Sequence, residues 1–282
     1  MIGIFDSGVG GLSVYREVRK TLPKAGIWYF GDTANCPYGP KTQEFIIARA
    51  EAITEMMLKN VDIIVVACNT ATAAAISHLR EKYSDKNNPE VRKRVLELSG
   101  GKRDHIMFIG MEPAVKPAVA ATKSGVIGVL ATEGTLKGQK YHDMKDLYKG
   151  DVKVVENVGE GFVELVEKWD IDSDYAENTV LESVRPLMNA GADTIVLGCT
   201  HYPFLTELIE KASKTAAPER NVTIINPAPA VARHLAEVMK EENIPSADQE
   251  QILLHTASGD AAVIKQIAAR IEKSFACPYN AQ

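Results

Sequence analysis

Two cysteines in this sequence each follow a run of apolar residues and precede a run of small polar residues. Cys68 comes after Asp-Ile-Ile-Val-Val-Ala and before Asn-Thr-Ala-Thr, and Cys199 comes after Asp-Thr-Ile-Val-Leu-Gly and before Thr-His-Tyr-Pro. A thiol between a buried strand and the start of a helix is rigidly held, and the helix N-terminus favours its thiolate. Cysteine is also a common buried filler. The matched flanks nevertheless favour two reactive thiols that remove and return protons.

A glycine-rich segment, Asp6-Ser7-Gly8-Val9-Gly10-Gly11, follows the first apolar run. Its glycines permit a tight turn and exposed backbone amides that hold an anion. It lacks the lysine of a P-loop and the spacing of a dinucleotide-binding loop. We therefore predict that it binds a carboxylate or an amino acid. Asp6 is predicted to bind an ammonium group or assist a thiol, and the alternative is that it only caps the next helix.

Histidine and hydroxyl groups accompany these segments. His201 lies two residues after Cys199, where an imidazole can tune the pKa of a thiol or relay its proton. Thr132-Glu-Gly-Thr135 follows another apolar run, and hydroxyls at a helix N-terminus bind carboxylates, although simple capping is the alternative. Glu167, in a helical stretch from Gly161, has the spacing of a surface charge.

A turn-rich loop follows the second apolar run and spans residues 32–40. Its two prolines, Pro37 and Pro40, and a glycine restrict its conformation. Tyr38 is predicted to offer a hydroxyl and act as a lid. Cys36 in this loop and Cys277 near the C-terminus are predicted to be incidental.

Short apolar runs alternate with helix-like stretches along the whole chain, which predicts βαβ units and a layered α/β architecture. The predicted strands are Ile2–Asp6, Ile27–Gly31, Asp62–Ala67, Ile106–Gly110, Val126–Leu130, Val152–Val155, Thr194–Gly198, Val222–Ile225 and Ile252–His255. Helical spacing of apolar residues predicts helices over stretches such as Gln43–Lys59 and Asp174–Asn189. The polar segment Ser84–Asp104 is predicted to be a surface loop, with a regulatory or subunit-contact element as the alternative.

The chain repeats itself weakly. The segment at 62–70 matches 193–201 at four of nine positions, and residues 2–7 resemble 127–132 at nearly the same offset. This predicts two similar lobes, each a mostly parallel sheet flanked by helices: residues 1–105 plus 221–282, and residues 106–220. We expect the active site in the cleft between them, at the carboxyl ends of strands.

Composition excludes several classes of protein. The 282 residues carry a net charge of −5, which argues against nucleic-acid binding. No apolar run reaches the roughly 18 residues of a membrane span, and the N-terminus lacks the features of a signal peptide, so we expect a cytoplasmic protein. Four cysteines without a CxxC pair predict neither a disulfide scaffold nor a structural zinc site.

Five motifs together identify a resemblance to a known family. They are Asp6-Ser-Gly-Val-Gly-Gly-Leu12, Gly31-Asp-Thr33, Pro37-Tyr-Gly39, Cys68-Asn-Thr-Ala-Thr-Ala73 and Gly198-Cys-Thr-His-Tyr-Pro203. In this order and spacing the chain resembles the glutamate racemase family from residue 2 to about residue 235. The resemblance implies a cofactor-independent, metal-free interconversion of L- and D-glutamate in the bacterial cytoplasm. Members of the family are commonly dimers, so the resemblance also implies a homodimer. It further implies that the protein supplies D-glutamate for peptidoglycan.

The resemblance also implies a role for individual residues. Cys68 would deprotonate D-glutamate with help from Asp6, and Cys199 would deprotonate L-glutamate with help from His201 and Glu167. The implied substrate-binding set comprises Asp6, Ser7, Pro37, Tyr38, Gly39, Cys68, Asn69, Thr70, Thr132, Thr135, Cys199, Thr200 and His201.

Two departures and two alternatives accompany this resemblance. Asn35 stands where many members carry arginine, and Ser84–Asp104 is longer than in compact members. The nearest alternative enzyme is an aspartate racemase, but that branch usually has Thr-Glu where this chain has Thr200-His201. A non-catalytic amino-acid-binding protein is the other alternative, although a binder needs no thiols.

Overall fold

The computed structural model describes residues 1–111, 114–245, 251–257 and 261–276, apart from the side chains of residues 140 and 276. Two parallel sheets flanked by helices make up the fold, as predicted. The strands are β1 (Ile2–Asp6), β2 (Ile27–Gly31), β3 (Ile63–Val66), β4 (Met107–Gly110), β5 (Val126–Ala131), β6 (Lys153–Val158), β7 (Thr194–Gly198), β8 (Thr223–Ile225) and β9 (Ile252–Thr256). All nine lie where strands were predicted, within a few residues.

Helices connect and cover these strands. They are α1 (Leu12–Thr21), α2 (Gln43–Met57), α3 (Asn69–Tyr83), α4 (Pro89–Ser99), α5 (Val115–Ala121), α6 (Glu133–Leu136), α7 (Gln139–Tyr148), α8 (Phe162–Glu167), α9 (Asp174–Asn189), α10 (Thr206–Ala216), α11 (Ala228–Glu241) and α12 (Ala262–Ala276). Short 3-10 helices cover Thr33–Asn35 and Tyr202–Leu205. Within the described ranges, no helix is long and apolar enough to cross a membrane.

Strand order separates the two sheets. The first has the order β4-β3-β1-β2-β9 and the second β6-β5-β7-β8, and every pair is parallel. The division into two lobes stays a prediction. Its boundaries at 105/106 and 220/221 each separate one strand from its sheet, since β4 pairs with β3 and β8 pairs with β7. A crossover connects the sheets after β4, one strand later than the boundary predicted from the repeat.

Both faces of the central strands β1, β2 and β3 are buried, which explains their continuous apolar sequences. Side chains alternate along β1, so that Ile2 and Ile4 join one hydrophobic cluster and Phe5 joins the cluster on the opposite face. The cluster containing Ile2 also includes Leu197 of the second sheet. Apolar packing therefore extends from one sheet to the other, which holds their strand ends near each other.

The prediction of a loop over Ser84–Asp104 is wrong, because the segment contains helix α4. Asn88 caps this helix by accepting a hydrogen bond from the Glu90 N–H at 3.0 Å, and Pro89 occupies the first turn. Gly100, in the left-handed conformation with φ 66°, ends it. Val91 and Val95 bury its apolar face. The glycines and the Asn-Pro pair mark the ends of a helix here.

Candidate active site

A small cavity lies where the carboxyl ends of strands from both sheets meet. Segments that follow β1, β2 and β3 of the first sheet and β5 and β7 of the second sheet contribute to its wall. The lining residues are Ser7, Pro37, Tyr38, Gly39, Cys68, Asn69, Thr70, Thr132, Val163, Cys199, Thr200 and His201. Eleven of these twelve belong to the predicted site, and Val163, which no sequence motif marked, is the addition. The remaining three predicted residues, Asp6, Glu167 and Thr135, lie behind this wall.

Cys68 is itself the N-cap of helix α3. Its Sγ accepts a hydrogen bond from the Ala71 N–H at 3.4 Å and donates to Ser7 Oγ at 3.8 Å. Burial, reinforced by the negative charge of Asp6, raises the pKa of the Cys68 thiol to about 12. Cys68 is therefore a thiol at neutral pH and a proton donor toward the cavity.

Cys199 belongs to a chain of three contacting polar groups. Its Sγ lies 3.6 Å from His201 Nδ1, and His201 Nε2 lies 2.7 Å from Glu167 Oε1. Burial alone would lower the pKa of His201, but hydrogen bonds to Cys199, Cys36 and Glu167 raise it well above its usual value. Burial opposes ionisation of Glu167 as well, yet contact with His201 lowers the pKa of its carboxyl. An imidazolium–carboxylate pair therefore faces Cys199, and such a cation stabilises a thiolate.

The glycine-rich segment binds the protein's own carboxylates. The Gly8 N–H donates to Asp6 Oδ1 at 2.9 Å, and the Val9 N–H donates to Glu167 Oε1 at 2.8 Å. The prediction that these amides hold a carboxylate of the ligand is therefore wrong for both of them. A Cβ on Gly8 would lie 1.9 Å from Glu167 Oε1, so this position needs glycine because a carboxylate approaches so closely.

Asp6 is fully buried beneath the cavity wall. Its Oδ2 accepts a hydrogen bond from the Thr200 hydroxyl at 3.0 Å, which joins strand ends of the two sheets. Burial raises the pKa of this carboxyl above its usual value, although His201 and the hydrogen bonds from Gly8 and Thr200 act in the opposite direction. Helix α1 has no side-chain cap, so the alternative of Asp6 as a helix cap is excluded.

Hydroxyl and amide groups form another part of the wall. Thr70 Oγ1 lies 3.2 Å from Thr132 Oγ1, and Thr132 Oγ1 lies 3.0 Å from Thr135 Oγ1. Thr132 Oγ1 also accepts a hydrogen bond from the Thr135 N–H and so caps α6. The same residue therefore both caps a helix and lines the cavity. Asn69 is buried, and its Nδ2 has no hydrogen-bond partner in the described part of the chain. A buried unpaired donor costs about 1–3 kcal/mol, which an acceptor in the cavity would recover.

A buried network fixes the loop that carries Tyr38. The Tyr38 hydroxyl donates to Asp32 Oδ2 at 2.5 Å, and Arg49 donates to both carboxylate oxygens at 3.0 and 2.8 Å. Asn35 donates to Asp32 Oδ1 at 3.0 Å. The tyrosine hydroxyl is thus engaged by Asp32, and the prediction that it is offered to a ligand is wrong. The side chain of Tyr38 still forms part of the cavity wall, beside Pro37 and Gly39.

Cys36, predicted to be incidental, lies next to the polar chain. Its Sγ donates to Glu167 Oε1 at 3.5 Å. Burial raises the pKa of the Cys36 thiol to about 11. This contact joins positions 131 residues apart, so no local motif could reveal it. Arg49 was missed for a related reason, because it reaches the loop from the middle of α2. Cys277 lies outside the described residues.

Comparisons with known proteins agree with this architecture. The model of the Asp/Glu/Hydantoin racemase family matches residues 102–235. A glutamate racemase of Herpetosiphon aurantiacus is 43% identical over 274 residues, which cover 96% of this chain and 97% of that protein. The structure of glutamate racemase isoform RacE1 of Bacillus anthracis matches with a TM-score of 0.76 and 33% identity, over 97% of this chain and 94% of that one. The Escherichia coli glutamate racemase matches with a TM-score of 0.76 and 29% identity, over 96% and 94%. On this identity and coverage, the chain belongs to the glutamate racemase family of amino-acid isomerases.

Proposed function

We propose that this protein interconverts L- and D-glutamate by a two-thiol proton transfer without a cofactor. The observation that carries the proposal is that Cys68 and Cys199 line one cavity from strand ends of different sheets. Two groups that reach one cavity from different sheets can address opposite faces of a single carbon atom. Relatives that match over most of the chain include glutamate racemases, and the structure of the Escherichia coli glutamate racemase was determined in complex with L-glutamate.

Because the two thiols have different surroundings, we can assign which of them begins as the base and which as the acid for each enantiomer of glutamate. For L-glutamate, the Cys199 thiolate, stabilised by the imidazolium of His201, takes the α-proton as the C–H bond breaks and an S–H bond forms. The Cys68 thiol then gives its proton to the other face of the carbanion, and its S–H bond electrons remain as a thiolate. The D-glutamate reaction is the reverse. Each turnover therefore begins and ends with one thiol and one thiolate, and the roles of Cys68 and Cys199 are exchanged.

The carbanion next to a carboxylate needs stabilisation from the site. Preorganised hydrogen-bond donors in a water-poor cavity supply it, because they need no rearrangement during the reaction. We assign this role to Asn69 Nδ2 and to the hydroxyls of Ser7, Thr70, Thr132 and Thr200. Asp6 and Glu167, behind the wall, position Thr200 and His201 and set the local charge. Pro37, Tyr38 and Gly39 close the cavity around the substrate, and Thr135 holds Thr132.

The wider setting follows the family. We propose that the protein forms a homodimer in the bacterial cytoplasm and supplies D-glutamate for peptidoglycan. We also propose that each sheet with its helices forms one lobe and that the lobes separate to admit glutamate.

Exchange in deuterated water tests the reaction. The protein is incubated with L-glutamate or L-aspartate, and circular dichroism and the α-proton NMR signal are followed together. We expect loss of optical activity and deuterium at the α-carbon with glutamate. Exchange with aspartate alone would transfer the assignment to aspartate racemase, and exchange with neither would leave a non-catalytic binding protein.

A further inference from the structure

Three metal-ligating side chains meet beside the cavity, behind His201. Cys36 Sγ lies 3.5 Å from Glu167 Oε1, which lies 2.7 Å from His201 Nε2, and one ligand atom from each residue falls within 4.8 Å of the other two. The residues come from the loop after β2, the last turn of α8 and the segment after β7. No CxxC spacing marks them, which is why the sequence predicted no metal site.

The chemistry of the donors selects the class of metal. A thiolate, an imidazole nitrogen and a carboxylate oxygen are the ligands that Zn²⁺ takes in proteins, and three of them with one water form a common four-coordinate arrangement. Bonds of about 2.0–2.3 Å place tetrahedral donors roughly 3.3–3.8 Å apart. The Cys36–Glu167 distance already has this value, and the His201–Glu167 distance must widen by about 0.6–1 Å.

We propose that Cys36, Glu167 and His201 form an inhibitory Zn²⁺ site. The inhibition rests on the proposed function, in which His201 supports the Cys199 thiolate. Coordination takes place at Nε2 and releases to solvent the Cys36 thiol proton and the proton shared by His201 and Glu167. The metal then holds the imidazole at Nε2 and replaces its hydrogen bond to Glu167, so the chain of contacts that leads from Glu167 to Cys199 is broken.

The same coordination also joins the two lobes. Cys36 follows β2 of the first sheet, while Glu167 ends α8 after β6 and His201 follows β7, both strands of the second sheet. A metal that bonds all three side chains links the walls of the cavity directly. It therefore slows opening for substrate as well as proton transfer. Glu167 is 23% exposed at its side chain and Cys36 is half-buried, so an ion can reach them from solvent.

Cobalt provides a readout that does not depend on racemisation. A C277S background removes the thiol outside the described residues, and Co²⁺ is titrated while the near-ultraviolet thiolate-to-cobalt absorption is recorded. We expect this band in the background protein and in its C68S and C199S derivatives, and its loss in the C36S derivative. Loss of the band in C68S or C199S with retention in C36S would overturn the proposal, because the catalytic thiols would then hold the metal.

Zinc inhibition of glutamate racemisation gives the second measurement. We expect the Zn²⁺ concentration for half-inhibition, measured against each variant's own activity without zinc, to rise more than about a hundredfold in Cys36→Ser, since losing even an outer partner of a ligand costs 10–100-fold in affinity. Glu167→Gln, which keeps the thiol, should weaken Co²⁺ binding as well. Unchanged zinc sensitivity in C36S contradicts the site. A protein that shows the Co²⁺ pattern but no racemisation would contradict the proposed function alone.

Discussion

The backbone N–H of Val9 donates a 2.8 Å hydrogen bond to Oε1 of Glu167, 158 positions further along the chain. The same oxygen accepts from His201 Nε2, so one atom links the glycine-rich segment to the imidazole beside Cys199. This link depends on the missing side chain at Gly8, whose Cβ would overlap the carboxylate. A change in packing at the end of β1 would therefore also change the contact between Glu167 and His201, on which the charge state of His201 depends.

Gly8→Ala should destabilise the protein by about 1–3 kcal/mol, because an added methyl group in a packed site forces backbone or side-chain shifts. It should also lower activity, since Glu167 must move away from His201. Urea unfolding measures the first effect. Gly39→Ala is the control for stability, because its Cβ would find its nearest neighbour, Thr132, at an ordinary 3.7 Å. Equal losses of stability in both variants would contradict the steric argument.

Glu167→Gln should shift the pH dependence of racemisation. The carboxylate holds the pKa of His201 high, so its removal lowers that pKa and lets the imidazolium deprotonate at lower pH. We expect the upper pH limit of kcat/KM to move downward, with the loss greatest on the alkaline side. Glu164→Gln, on the exposed face of the same helix, is the matched control and should leave the profile unchanged. If kcat/KM of the E167Q variant is lower at every pH but its pH dependence is not shifted, Glu167 has a purely structural role.

Cys68→Ser and Cys199→Ser should each lower kcat/KM for racemisation by about a hundredfold to ten-thousandfold, the usual contribution of a positioned acid or base. A serine hydroxyl is far less acidic than a thiol, so neither variant can complete the proton transfer on its own side. Circular dichroism of both glutamate enantiomers measures the loss. Near-normal rates in both variants would rule out the two-thiol mechanism.

Asp6→Asn should separate activity from stability. The raised pKa means that the native state binds the Asp6 proton more tightly than the unfolded chain. The carboxylate therefore costs stability as pH rises from its unfolded pKa through the higher folded value, and the cost persists at neutral pH. Asparagine keeps the Gly8 contact and can donate to Thr200. We expect unchanged or higher stability in urea at neutral pH with reduced racemisation. A marked loss of stability would show that the ionised group is needed for folding.

Arg49→Met should destabilise the native state by about 3 kcal/mol, because it leaves the fully buried carboxylate of Asp32 without its cation. Hydrogen bonds from Arg49, Tyr38 and Asn35 lower the pKa of Asp32 despite its burial. Their stabilisation is complete above the unfolded pKa and is lost as pH falls, so the difference between variant and parent should shrink in acid. Arg92→Met, which breaks the exposed pair with Asp104, should cost under about 1 kcal/mol. Comparable losses would refute the buried-pair argument.

The central strands β1, β2, β3 and β7 were predictable because burial on both faces imposes continuous apolar runs. The thiols, His201 and the hydroxyl residues were predictable because each immediately follows such a run. Helix α4 was missed although its cap, its first-turn proline and its terminal glycines are all local signals. Charged residues surround its two buried valines, so its apolar face is too narrow to stand out from a polar segment.

Contacts between distant segments could not be predicted in this way. The Glu167 carboxylate occupies an amide that the sequence suggested for a ligand, and Asp32 engages the hydroxyl suggested as a substrate contact. The first partner lies 158 positions away, where no local pattern reveals it. The second lies only six positions away in the same loop, but the pattern does not indicate which of the loop's polar side chains contact each other. Cys36 shows the same limitation, since its neighbours follow strands of the other sheet.

The two thiols differ sharply: Cys68 caps a helix as a high-pKa thiol, and Cys199 faces an imidazolium. Enantiomers have the same free energy in water, so the overall equilibrium constant cannot reflect this difference. The Haldane relation then requires kcat/KM to be equal for L- and D-glutamate, in the parent and in every variant. The asymmetry of the site can therefore appear only in kcat and KM taken separately. A higher kcat for one enantiomer must be matched by a proportionally higher KM.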